Sequence, residues 1–115
     1  MKRVAVTGMS GITSLGETAD QIFEQFSQGN SGIRYMPDWE IYTDLRSKLG
    51  GPVESFTIPK HFNRKVTRGM GRVALMSVVC AEKALEDAGL LQDAILTSGE
   101  TGVAFGSSAG SVNAV

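Results

Sequence analysis

Between Val73 and Ala81 nine consecutive residues are apolar or small, with Ser77 the one polar side chain among them. A helix on a protein surface carries an apolar stripe and a polar opposite face, so one that is apolar nearly all round needs cover on several sides. The run lies inside a helical pattern predicted from Arg68 to Ala88 and ended by Gly89. Its last turns, Glu82 to Asp87, are amphipathic, and that end is expected to reach solvent. A chain of 115 residues buries roughly two-thirds of its unfolded surface, so covering this helix is the main constraint on the fold.

Two short apolar runs flank the pattern. Arg3–Thr7 is rich in β-branched residues and leads into Gly8-Met9-Ser10-Gly11, as a buried strand feeding a glycine loop would. Thr101–Phe105 reads as a second strand, followed by Gly106-Ser-Ser-Ala-Gly-Ser111. Thr18 with Gln21 has capping-box spacing, predicting a helix over about Ala19–Gln28 that packs one face through Ile22, Phe23 and Phe26 and ends at Gly29. From Asn30 to Lys60, Pro37, Gly50-Gly51, Pro52 and Pro59 break any long element, and Tyr35, Trp39, Tyr42 and Phe56 follow no period. Such a stretch is expected to be an excursion packed onto other chain. Strand, helix, excursion, helix, strand argues an α/β unit, one domain or part of one. Ser111–Val115 carries no cap, charge or turn signal, and the chain is expected to be cut there.

Hydrophobic residues at 42% and charged residues at 20% exclude the composition of a disordered chain. A net charge of −1 leaves no global field to attract nucleic acid or an anionic membrane. Cys80, the single cysteine, cannot form an internal disulfide, and the run after Met1-Lys2-Arg3 is too short for a signal-peptide core, so a cytoplasmic setting is expected. No apolar stretch approaches the roughly 18 residues that read as a membrane span.

Val6-Thr7-Gly8-Met9-Ser10-Gly11 could open a dinucleotide site, but Ser14 stands where a third glycine is expected. No second strand ending in an acidic residue follows about 20 residues on. Cys80, in mid-helix between Val79 and Ala81, is expected to be an inert core thiol rather than a nucleophile. His61, the only histidine, has no neighbouring ligands at metal spacing, so no metal site and no cofactor are expected. Lys60, Arg64, Lys65, Arg68 and Arg72 place five cations in thirteen residues with no acidic residue between them. At three- and four-residue spacing His61, Arg64, Lys65, Arg68 and Arg72 would share one helical face, either as a local site for an anionic partner or as a solvated surface. Gly106–Ser111 could cradle an anion but more simply lets chains approach closely.

Val4-Ala-Val-Thr-Gly-Met9, Ser14-Leu-Gly16, Ser31-Gly-Ile33, Asn63-Arg-Lys65, Arg68-Gly-Met70, Ala84-Leu-Glu-Asp-Ala-Gly89 and Gly102-Val-Ala-Phe-Gly-Ser107 stand, in this order, as in condensing enzymes. The chain resembles the N-terminal portion of a β-ketoacyl-acyl-carrier-protein synthase over its whole length, least so from Tyr35 to Pro52. The resemblance implies a thiolase-like layered α/β fold, with residues 1–115 an incomplete N-terminal part of the family's N-terminal domain. It implies decarboxylative condensation of acyl and malonyl thioesters in fatty-acid or polyketide synthesis, a homodimer when full length, and a cysteine and two histidines lying beyond Val115. Cys80 and His61 match none of these three, so the chain as given is expected to contain no catalytic residue. Arg64, Lys65 and Arg68 resemble residues that grip the acidic acyl carrier protein in relatives. Gly69 replaces a further cation there, with Arg72 one turn on. Ala109 lies where relatives place a larger residue bounding the acyl pocket. A non-catalytic paralogue that sets chain length, a small carrier-binding module and a nucleotide-binding oxidoreductase are the alternatives.

Overall fold

The computed structural model describes residues 2–111. The chain divides into two compact units, Gly11–Thr57 and a second built from the first ten residues together with Ile58 onward.

The Gly11–Thr57 unit opens on a tight turn in which the Thr13 and Gly16 backbones pair, and the Thr13 hydroxyl donates to the Gly16 carbonyl at 3.1 Å. Helix α1, Ala19–Ser27, follows. The Gln21 amide donates to the Thr18 hydroxyl at 3.3 Å, and the Gln21 side chain accepts from the amides of Thr18 (3.3 Å) and Glu17 (2.9 Å). This satisfies helix-start donors that would otherwise lack partners, and it is the capping box predicted from the spacing. At the other end Gly29 adopts φ +72°, its amide donating to the Phe26 carbonyl and that of Asn30 to the Gln25 carbonyl. The apolar face is not covered as predicted: Phe23 is 72% and Phe26 64% exposed.

The excursion is ordered by a short antiparallel pair, β1 (Arg34–Tyr35) with β2 (Leu49–Gly50), in register Arg34 to Gly50 and Tyr35 to Leu49. Between them a 3₁₀ helix over Pro37–Ile41 turns the chain. Lys48 pairs with Glu40 at 2.8 Å, and Arg34 with Glu54. Gly32 packs directly on Ser14, leaving no room for a Cβ.

The second unit is organised by two helices where one was expected. Helix α2, Arg64–Thr67, is a single turn capped by Asn63, and α3 runs from Arg72 to Asp87. The Arg68–Ala88 prediction is therefore corrected at its start: Arg68 caps the end of α2, and α3 begins at Arg72 after its N-cap Gly71. Glycines at 69 and 71 make a continuous helix costly there, by about 1 kcal/mol each relative to alanine. At its far end α3 closes as predicted, with Gly89 at φ +70° and the Leu90 amide donating to the Leu85 carbonyl at 2.8 Å.

Several segments attach to α3. The backbone at Gly8 lies against its last turns, where a Cβ would fall 2.2 Å from the Ala84 carbonyl oxygen and 2.7 Å from the Ala88 nitrogen. The next amide, Met9, donates to the Asp87 carboxylate at 2.9 Å. At the opposite end the Ser111 hydroxyl accepts from the Val73 amide at 2.9 Å, satisfying one of the donors left open at a helix start. His61 meets Glu82 in mid-helix. The apolar run is only partly covered. Val79 is the one fully buried side chain among the described residues, while Leu75–Val78 and Cys80–Ala81 are half-buried.

Neither predicted strand forms a ladder. Arg3–Thr7 and Thr101–Phe105 lie outside any strand, with Val4 94% and Val103 83% exposed. Strand propensity describes a residue that fits a paired, half-buried surface, and here no described segment pairs with either run.

Replacing Gly8 with Ala is expected to destabilise the second unit by about 1–3 kcal/mol, because the carbonyl it meets belongs to rigid helix backbone. Unchanged amide exchange across Ala84–Leu90 would contradict this. Thr18→Ala is expected to cost α1 about 1 kcal/mol, with Thr18→Ser near neutral, read as amide exchange at Gln21 and Ile22.

Candidate functional site

The basic segment begins in the turn at Lys60-His61. The Asn63 side chain accepts from the amides of Lys65 (3.0 Å) and Val66 (3.3 Å), which fixes the single turn of α2. Arg64 and Arg68 are linked through the Arg68 amide and the Arg64 carbonyl at 3.0 Å, so they stand one above the other on that turn, with Lys65 beside Arg64. Arg72 is the first residue of α3. The structure thus groups Arg64, Lys65 and Arg68 on one turn. It corrects the expectation of one continuous helical face through Arg72, because the chain breaks at Gly69–Gly71.

All five cations from Lys60 to Arg72 are exposed. Among the described residues, Lys60, Arg64, Lys65 and Arg68 have no acidic side chain within ion-pair distance. In a chain with a net charge of −1, this is a local concentration of positive charge that internal pairing leaves uncancelled. It acts over about a Debye length, ~8 Å at physiological salt.

Spacing alone could not reveal His61 and Glu82, which are 21 residues apart. The His61 Nε2 lies 2.7 Å from the Glu82 Oε2, and the ring stacks obliquely on Phe62 with centroids 4.6 Å apart. Among the described residues no His, Cys, Asp and Glu side chains gather as a metal site. Cys80 is a free, half-buried thiol within α3, and His61 is engaged by Glu82, so these two residues do not form a catalytic pair.

The glycine loop is used for packing. Gly8 meets the C-terminal end of α3, where the helix dipole is negative and disfavours a bound anion, the reverse of a pyrophosphate cradle. In the Gly106–Ser111 loop, the Ser107 hydroxyl accepts from the Gly110 amide at 2.9 Å and Ser111 caps α3. Phe105–Ser107, Gly110 and Ser111 face the first turns of α3 across an open, largely apolar cleft of about 580 Å³. Ala109 sits exposed on the bend of this loop and does not line that cleft. No helix among the described residues is long and apolar enough to cross a membrane.

Residues 1–115 match the family described as Beta-ketoacyl synthase, N-terminal domain. The chain is 31% identical over 113 residues to 3-oxoacyl-[acyl-carrier-protein] synthase 1 of Haemophilus influenzae, covering 98% of this chain and 27% of that protein. It is 31% identical over 111 residues to the chloroplastic 3-oxoacyl-[acyl-carrier-protein] synthase II of Arabidopsis thaliana, covering 95% of this chain and 20% of that protein. The crystal structure of a beta-ketoacyl synthase from Burkholderia phymatum STM815 superposes with a TM-score of 0.72 at 42% identity, over 82% of this chain and 23% of that one. The chain therefore spans about a quarter of the length of the relatives it matches. The α/β arrangement is part of the thiolase-like fold. With a family match over its full length and a solved neighbour of the same fold, the chain belongs to the β-ketoacyl synthase family, to whose N-terminal domain its residues correspond.

Proposed function

We propose that this chain serves a 3-oxoacyl-[acyl-carrier-protein] synthase, contributing the surface that docks the acyl carrier protein. The single observation that carries this is the exposed group Arg64, Lys65 and Arg68, held on one capped turn with no acidic partner among the described residues. An acidic partner would be drawn to such a patch from a distance and oriented by it on contact. Arg72, exposed at the start of α3, adds a fourth cation to the same stretch of chain.

The chemistry proposed for the complete enzyme is transfer of an acyl group from its carrier to a cysteine, followed by condensation with a malonyl thioester that loses carbon dioxide. The nucleophilic cysteine and two histidines would come from elsewhere in the protein, since Cys80 lies within α3 and His61 is paired with Glu82. A cytoplasmic enzyme working as a homodimer, with no resident cofactor, is the setting proposed. Ala109 is proposed to bound the acyl pocket of the complete enzyme. Its small side chain would leave room there for a longer or bulkier acyl group.

Charge reversal by Arg64→Glu together with Lys65→Glu is expected to weaken binding to acyl carrier protein by roughly tenfold or more at low salt, with the difference shrinking as salt is raised. Equal affinity of variant and parent in a titration of carrier protein would rule the docking surface out. In the complete synthase Ala109→Ile is expected to shorten the preferred acyl chain, and an unchanged product distribution would remove Ala109 from the pocket.

A further inference from the structure

We propose that His61 is a positioning residue, whose tie to Glu82 sets the direction in which the basic turn presents Arg64, Lys65 and Arg68. This rests on the docking function proposed above and adds how that surface is held.

Helix α2 is one turn long, and a lone turn is intrinsically unfavourable because several dihedral angles are fixed for few hydrogen bonds. Asn63 satisfies its first amides and so stabilises the turn locally. A local cap does not determine where the turn points. That needs an anchor outside the segment, and α3, sixteen residues long, is the stiff element of the unit. Among the described residues, the bond from His61 Nε2 to Glu82 Oε2 is the one side-chain hydrogen bond linking residues 60–68 to α3. The Glu82 side chain is only 21% exposed and stems from α3, which makes it the attachment point on the stiff helix. Half-buried Phe62 packs its ring obliquely on the imidazole. His61 stands two residues before the cap, so a rotation there swings all three cations together.

Glu82 is engaged by the imidazole, and among the described residues Arg64, Lys65 and Arg68 make no ion pair.

Simple charge counting and positioning give opposite signs for one variant. Removing the Glu82 carboxylate deletes a negative charge from the same unit, which by charge alone leaves binding of an acidic partner equal or tighter. Positioning requires it to be weaker. The test measures affinity of the full chain for acyl carrier protein with His61→Phe, which keeps a ring and loses the nitrogen, with Glu82→Leu, with both, and with His61→Gln, which keeps a donor. Thermal unfolding is followed for each. The expected result is about fivefold weaker binding for either single change, no further loss in the double variant, and recovery of most of the affinity by His61→Gln. Should His61→Phe not fold, Glu82→Leu decides by its sign. Parent-like or tighter binding by Glu82→Leu, or additive losses in the double variant, would overturn the positioning role. If Arg64→Glu still weakens binding in that case, the docking surface stands without it. If Arg64→Glu has no effect either, the docking surface itself fails.

Discussion

The seat of the Gly8 backbone on the last turns of α3 is the contact on which the second unit is built. It brings residues from the start of the chain against a helix almost eighty positions later, at a distance that excludes even one methyl group. The Met9 amide then finds the Asp87 carboxylate, and the far end of the same helix takes its cap from Ser111. A helix apolar on most of its surface is thus held at both ends by backbone-level contacts. Around its middle only Val79 is fully buried among the described residues. Among the described residues its contacts are these few specific attachments more than enclosure.

The same helix carries the link to the candidate docking surface. A single capped turn displaying three cations would have little preferred direction alone, and His61 joins it to a carboxylate rooted in α3.

Much of the fold was legible locally. The capping box at Thr18 and Gln21, the glycine ends at Gly29 and Gly89, and the α3 helix itself all follow from short-range stereochemistry. The two strands did not form because a strand is completed by its neighbour, and neither Arg3–Thr7 nor Thr101–Phe105 pairs with a described segment. The break at Gly69–Gly71 could have been anticipated from two glycines in three residues, but the cation spacing suggested continuity instead. The β1–β2 pair, two residues on each side, was hidden inside an aperiodic stretch of prolines and glycines.

By itself the sequence determined the kinds of element, their caps, the cluster of positive charge and, through motifs kept in order, the family. These depend on neighbours a few residues away, or on residue identity alone. Tertiary structure decided what each motif is for. It turned Gly8 from a candidate phosphate loop into a packing contact, separated Arg72 on α3 from Arg64 and Lys65 on α2, and paired His61 with Glu82 across 21 positions. Contacts between distant residues depend on where the chain returns in space, and no local pattern encodes that return.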